Sequence, residues 1–109
     1  MADESVIIIV QKYLQLLINS GIDDCYIVIF GSQVTGNNHE WSDIDLLVVS
    51  PLFDGERKRE HVDKLWHIAA RVDSRIEPIP VGKRQFIEDD SSTIIEIARR
   101  EGEVVTLAA

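Results

Sequence analysis

Two apolar runs set close together constrain the fold of this chain more than any other feature of its sequence. The first is CYIVIF at residues 25–30, and the second is DIDLLVV at residues 43–49. The first run is continuous and rich in strand-forming residues, and in the second two acids lead into LLVV; we predict two strands, the first of them central in a sheet. The polar segment between them begins with Gly31 and Ser32 and continues as a polar loop over residues 37–42.

Helical spacing of apolar residues flanks these strands. We predict a helix over residues 4–19, whose apolar face is wider than a single stripe, and a second long helix over residues 56–72 with charges on its outer face. Residues 83–89 are compatible with a short helix. The segment SSTIIEIARREG predicts a last helix, with Ser91 or Ser92 as its N-cap and Gly102 at its end.

A third strand is predicted at residues 75–79. Pro78 and Pro80 cannot donate to a sheet ladder, so this strand should lie at an edge. Residues 103–108 either add a short strand or simply dock on the sheet. The element order α-β-β-α-β-α predicts an α/β (α+β) fold in one domain over residues 1–109, a small mixed sheet with helices mainly on one face.

Charge and composition narrow the function. The 109 residues carry a net charge of −8, which is a poor electrostatic match for the backbone of a nucleic-acid polymer. Cys25 is the only cysteine, so no internal disulfide forms and a reducing compartment is compatible. The MADES start lacks the basic region of a signal peptide, and no apolar stretch is long enough for a bilayer. We therefore expect a cytoplasmic protein without a membrane segment.

Asp43 and Asp45 stand one residue apart at the start of the second strand. Residues two apart in a strand share a face, so both carboxylates should point the same way. Their repulsion in a poorly hydrated place is relieved by a divalent cation, and oxygen ligands suit Mg²⁺ or Mn²⁺. Asp43 alone could be an ordinary turn residue, but this reading does not explain Asp45.

Two further features point to the same chemistry. Gly31 would let the backbone approach a ligand closely, and Ser32 offers a hydroxyl and a backbone N–H at the start of a helical turn. Glu77 lies between Ile76 and Pro78 in the third strand, where it could complete a cation site or accept a proton. The plainer alternative for Glu77 is a charge that protects an edge strand from aggregation.

The pattern resembles the nucleotidyltransferase superfamily that includes DNA polymerase beta. The matching residues are Gly31-Ser32, ten intervening residues, and Asp43-Ile44-Asp45 before a strand. The resemblance implies the polymerase-beta-like fold, with Asp43 and Asp45 holding the metals and Gly31 and Ser32 binding the triphosphate. It also implies a third carboxylate, for which Glu77 is the candidate and Asp73 the alternative.

The chain departs from this pattern directly after the Gly-Ser pair. Many relatives place an Arg there, whereas this chain has Gln33, Val34 and Thr35. Loss of a cation beside a triphosphate should weaken nucleotide binding. Arg75 is the preferred replacement because it should share a strand face with Glu77; Lys83 and Arg84 are alternatives.

The short chain most resembles the stand-alone minimal nucleotidyltransferases (MNT-type antitoxins), several of which are paired with a HEPN-domain toxin. The resemblance implies Mg²⁺-dependent transfer of NMP, with ATP as the first choice of NTP, to a hydroxyl such as a tyrosine of the toxin. Without a separate acceptor domain, the acceptor would have to bring its own surface. The alternatives are a binding module that neutralises a partner by contact and, less favoured, an antibiotic-modifying enzyme of the same superfamily.

A docking surface is also predicted. Leu47 and Val49 should share the face of Asp43 and Asp45, and with helices on one side only this face would be partly open. Together with the wide apolar face of the helix at residues 4–19, this predicts an apolar surface for a homo-oligomer or a partner chain.

Overall fold

A computed structural model describes residues 1–36 and 41–107, so most of the predicted polar loop at residues 37–42 lies outside the described residues. Within them the chain order is helix α1 (Glu4–Asn19), strand β1 (Tyr26–Ile29), helix α2 (Ser32–Thr35), strand β2 (Ile44–Ser50), a 3-10 helix (Pro51–Phe53), helix α3 (Arg59–Val72), strand β3 (Ile76–Gly82), helix α4 (Lys83–Glu88), helix α5 (Thr93–Glu101) and strand β4 (Glu103–Val105).

The four strands form one mixed sheet in the order β3-β2-β1-β4. Strand β2 is parallel to β3 and antiparallel to β1, and β1 is antiparallel to β4. The predicted edge position of the strand that contains Pro78 and Pro80 is therefore confirmed. Residues 103–108 were expected either to add a short strand or to dock on the sheet. The pairing of β4 with β1 shows that they add a strand.

Helices α1 and α3 cover one face of the sheet. Their buried apolar side chains pack against the inward residues of β1 and β2, and Leu14, Leu17, Ile27, Ile29, Leu46, Val48 and Leu65 are among the members of this cluster. The Tyr13 hydroxyl, fully buried in the same layer, donates to the carbonyl oxygen of Leu65 at 2.8 Å. This hydrogen bond satisfies a polar group that burial would otherwise penalise and joins α1 to α3.

The opposite face is covered too, so the expected open surface at Leu47 and Val49 is wrong. Both side chains are fully buried against Ile95 and Ala98 of α5. The reason lies in the topology: the chain leaves β3 at one edge of the sheet and must reach β4 at the other edge. It crosses this face through α4 and α5, and burying Leu47 and Val49 there contributes roughly 1.5–3 kcal/mol each.

Most element bounds agree with the sequence expectations, and the differences are local. The first helix spans Glu4–Asn19 as predicted, β2 begins one residue later than expected, and β3 continues to Gly82. The Ser92 hydroxyl accepts from the backbone N–H of Ile95, so Ser92 is the N-cap of α5. None of the helices within residues 1–36 and 41–107 has the length and apolar character that a membrane crossing requires.

Candidate functional site

The turn after β1 brings the backbone into direct contact with the acidic start of β2. Gly31 has φ +78° and ψ −150°, a conformation that residues with a side chain rarely adopt. A Cβ atom at Gly31 would lie 3.0 Å from Oδ2 of Asp45. The neighbouring N–H of Phe30 donates to the backbone carbonyl of Asp45 at 3.0 Å. The glycine therefore has a local cause: it lets the turn that carries Ser32 lie against the Asp45 carboxylate.

The register of the parallel strands places Asp45 directly beside Glu77. Paired residues of neighbouring strands point to the same face, and the two carboxyl groups are in hydrogen-bonding contact. This is the face that also carries Leu47 and Val49.

Asp43 lies immediately before β2, with an exposed side chain, and its charge acts on both members of this pair. Desolvation raises the pKa of Asp45, the charge of Asp43 adds to this, and the hydrogen bond from Glu77 opposes it. Desolvation also raises the pKa of Glu77, and the charges of Asp43 and Asp45 and hydrogen bonding with the Asp45 carboxyl raise it further. The structure thus places Glu77 beside Asp45, and it leaves Asp43 near enough for its charge to disfavour the ionisation of both.

The donor set suits a hard divalent cation. Positive charge among these oxygens would relieve the repulsion between the carboxylates. Across residues 1–36 and 41–107, however, no three His, Cys, Asp or Glu side chains form a ready-made metal site. The carboxylates of Asp45 and Glu77 would therefore supply only part of the ligands of a hard ion such as Mg²⁺ or Mn²⁺, and Mg²⁺ commonly keeps several waters.

Arg75 precedes β3 rather than lying in it, but it is level with Asp43 because Ile44 pairs with Ile76. Its carbonyl accepts from the N–H of Ile44 at 2.8 Å. The guanidinium of Arg75 donates to Asp73, the alternative third carboxylate, at 3.1 Å from Nε and at 3.0 Å from a terminal nitrogen. Hydrogen bonding to Arg75 lowers the pKa of Asp73. Asp73 thus orients the Arg75 guanidinium, and the role of Arg75 in nucleotide binding stays a prediction.

Sequence reasoning missed the contacts of Gln33, in which it saw only the absence of a cation. Ser32, half-buried, opens α2, and the next side chain, Gln33, is 2% exposed. The Gln33 amide nitrogen donates to the carbonyl oxygens of Ser42 and Asp43, both at 3.2 Å. No sequence signal separates a buried glutamine from an exposed one in a helix of four residues.

Comparison with known proteins places this geometry in context. The nucleotidyltransferase domain family matches the chain over residues 12–102. This range includes the Gly-Ser turn, all three carboxylates and Arg75. No curated protein sequence matches the chain.

Solved structures share the fold. A toxin–antitoxin complex with AMP-PNP superposes with a TM-score of 0.58 at 20% identity, over 89% of this chain and 73% of that one. A mutant of the toxin–antitoxin pair MntA–HpeT, in which two aspartates are replaced by glutamate, gives 0.57 at 18% identity over 89% and 73%. A second MntA–HpeT mutant, with a tyrosine replaced by alanine, gives 0.58 at 19% identity over 89% and 72%. At these identities the likeness concerns the fold.

Proposed function

Because this chain belongs to the nucleotidyltransferase domain family, we propose that it transfers the NMP group of a nucleoside triphosphate, ATP in the first instance, to a hydroxyl group and releases pyrophosphate. The observation that carries the proposal is the meeting of the Gly31 turn with the paired carboxyls of Asp45 and Glu77. A phosphate-binding turn beside a carboxylate cluster is what transfer of a nucleotidyl group needs.

Each side chain has a role in this reaction. Asp43 and Asp45, with Glu77, would hold Mg²⁺ or Mn²⁺, which when bound neutralises phosphate charge and favours in-line displacement. The Gly31-Ser32 turn would hold the triphosphate. The acceptor oxygen attacks the α-phosphorus, its proton passes to the Glu77 carboxylate, and the bond from the α-phosphorus to the bridging oxygen breaks as pyrophosphate leaves.

The missing cation after Ser32 is supplied, in this proposal, by Arg75. The Asp73 carboxylate accepts hydrogen bonds from two nitrogens of the guanidinium, and the Arg75 side chain is 25% exposed. An arginine oriented in this way loses less conformational freedom when it binds phosphate. The residue follows a turn level with Asp43, close to where the triphosphate would meet the carboxylates.

The acceptor is proposed to be a protein. The solved structures that share the fold are toxin–antitoxin complexes, one of them with AMP-PNP. This supports an antitoxin that modifies its toxin, and by resemblance the acceptor is a tyrosine of a HEPN-domain partner. The net charge of −8 disfavours a nucleic-acid acceptor. The free Cys25 suits the reducing cytoplasm, and we retain self-association as a prediction, now without the open face at Leu47 and Val49.

The proposal is tested with ATP labelled at the α-phosphate, Mg²⁺ and the protein encoded beside this one. We expect label on the partner, no label from ATP labelled at the γ-phosphate, and loss of labelling in Asp43→Asn and Asp45→Asn. Lys12→Gln, an exposed change on α1, serves as the control that keeps activity. Absence of label under all conditions, with a stable complex between the two proteins, would establish the second candidate function.

That second function is a binding module that neutralises a partner by contact alone. One specific observation favours it: Gln33, where many relatives carry an arginine, is buried and directed to the backbone of Ser42 and Asp43. The side chain at this position therefore gives no charge to a triphosphate. The gathered carboxylates of Asp45 and Glu77 oppose this reading, because contact alone does not require them.

A further inference from the structure

Gln33 is an unusual residue for its surroundings. Within residues 1–36 and 41–107, Gln33 and Ser50 are the only buried polar side chains apart from Tyr13. Ser50 has a plain structural role, since its hydroxyl contacts Asp23 and caps the 3-10 helix. Gln33 instead lies between the Gly-Ser turn and the segment that leads into β2, the two halves of the candidate site.

The Gln33 amide joins these two halves directly. Its nitrogen carries two hydrogens, and the structure gives it two acceptors, the carbonyl oxygens of Ser42 and Asp43, each at 3.2 Å. The acceptors are nine and ten residues away in sequence. The two bonds therefore fix the backbone of Asp43 relative to the turn that begins at Gly31.

The amide oxygen carries a cost that the two bonds of the amide nitrogen have to offset. Oε1 of Gln33 is buried and has no hydrogen-bond partner in the part of the chain that the structure describes. Burial of an unpaired acceptor opposes folding; an apolar side chain of the same shape would avoid that penalty but would leave the carbonyl oxygens of Ser42 and Asp43 without these donors. The glutamine is explained if its nitrogen has a task that an apolar side chain cannot perform.

We propose that Gln33 is a positioning residue that sets the separation between the triphosphate turn and the cation-holding carboxylates. This inference rests on the proposed function and deepens it. Gln33 acts through the backbone of Ser42 and Asp43 and does not touch substrate, because its side chain is 2% exposed. A neutral amide is suited to this place, since an arginine charge buried there would need a compensating anion.

The test compares Gln33→Met, which keeps the length and removes both donors, with Gln33→Glu, which keeps the shape and directs acceptors at the carbonyls. Gln85→Met is the matched control: Oε1 of Gln85 accepts from Gly82 at 3.1 Å and from Arg57 at 2.6 Å. It also loses two hydrogen bonds, one local from Gly82 and one long-range from Arg57, but at the opposite end of β3 from Glu77. Each full-length variant is titrated calorimetrically with Mn²⁺ in the presence of ATP, and hydrogen exchange is followed over residues 42–45.

We expect both Gln33 variants to bind Mn²⁺ with ATP about tenfold or more weakly than the wild type, the loss typical of removing a residue that orients metal ligands. Exchange over residues 42–45 should become faster in both. Gln85→Met should lower the unfolding midpoint without either effect. The binding loss then follows from the local change near Asp43 and not from lower global stability.

The failures can be told apart. If the wild type binds Mn²⁺ with ATP and the Gln33 variants bind equally well, the positioning role is overturned and the proposed function stands. Unchanged exchange over residues 42–45, or the same binding loss in Gln85→Met, also overturns the positioning role. If the wild type itself binds no Mn²⁺ with ATP, the proposed function fails and the positioning role falls with it. Should Gln33→Met not fold, Gln33→Glu carries the comparison.

Discussion

Replacing Gly31 by Ala should abolish nucleotide binding in a chain that remains folded. The new methyl group meets two obstacles: the backbone conformation of φ +78° and ψ −150°, and Oδ2 of Asp45 at 3.0 Å. A residue with a side chain in such a region costs about 1–3 kcal/mol. The contact must in addition be relieved by movement of the Asp45 carboxylate or of the turn, and either movement separates the phosphate and cation halves of the site.

The size of the stability change follows from the chain length. For 109 residues at about 2.1 cal/mol/K each, the unfolding entropy is about 230 cal/mol/K. A loss of about 1–3 kcal/mol therefore lowers the unfolding midpoint by about 4–13 °C. Circular dichroism measures this shift, and a calorimetric titration of the folded variant with Mn²⁺ and ATP measures the binding.

Gly21→Ala is the matched control. Gly21 also has a positive φ, +102°, but a Cβ there would meet nothing within 4 Å. We expect it to destabilise the chain through backbone strain and to leave binding intact. Wild-type binding by Gly31→Ala would refute the reasoning, and so would an equal loss of binding in Gly21→Ala, because the contact with Asp45 would then be irrelevant.

Three further outcomes are expected. Glu77→Gln should be more stable than the wild type in metal-free buffer, by a margin that grows as the pH rises above about 4.3, the ordinary glutamate pKa; chemical denaturation at several pH values measures this. Arg75→Ala should weaken ATP binding about tenfold or more, the value of a charge-assisted hydrogen bond, while circular dichroism shows the same fold; unaltered affinity would exclude Arg75 from the site. Tyr13→Phe should cost about 1 kcal/mol, hence about 4 °C in the melting midpoint, because the buried bond to Leu65 is lost; no shift would show that this bond is not stabilising.

The direction of the pH effect follows from proton linkage. The pKa values of Asp45 and Glu77 are raised in the folded chain. The folded state therefore binds more protons than the unfolded state as the pH rises above the ordinary pKa values of Asp and Glu. These two groups therefore make stability fall as the pH rises through that window. Asp73 acts in the opposite direction, since its lowered pKa adds stability that is lost on acidification. Comparing Glu77→Gln with the wild type cancels Asp73, and a pH-independent difference would contradict the coupling.

The sequence was sufficient to predict that Asp43 and Asp45 lie close together near the Gly31 turn, because each of these steps was local. Alternation along a strand puts Asp43 and Asp45 on one face, and a glycine before a polar turn indicates close backbone approach. Placing Glu77 beside Asp45 required more, namely that the strand after α3 returns parallel to β2 in a particular register. The alignment of Ile44 with Ile76 fixes this register, and no turn between the two strands reveals it beforehand.

The features that were missed depend on non-local contacts. The covering of Leu47 and Val49 follows from the pairing of β4 with β1, which forces α5 across the sheet. The amphipathic spacing of Ile95 and Ala98 is visible in the sequence, but it does not reveal which face these residues meet. The burial of Gln33 likewise depends on where the backbone of Ser42 passes, and no pattern in the sequence specifies this.

The most direct test of the central claim is a titration with Mn²⁺, followed by electron paramagnetic resonance of the free ion, in the presence of ATP. The claim is that the carboxylates of Asp43, Asp45 and Glu77 act together on one divalent ion. We predict that the wild type binds Mn²⁺ and that Asp43→Asn, Asp45→Asn and Glu77→Gln each weaken this binding. Wild-type affinity in the Asp45→Asn variant, or no binding by the wild type, would contradict the account.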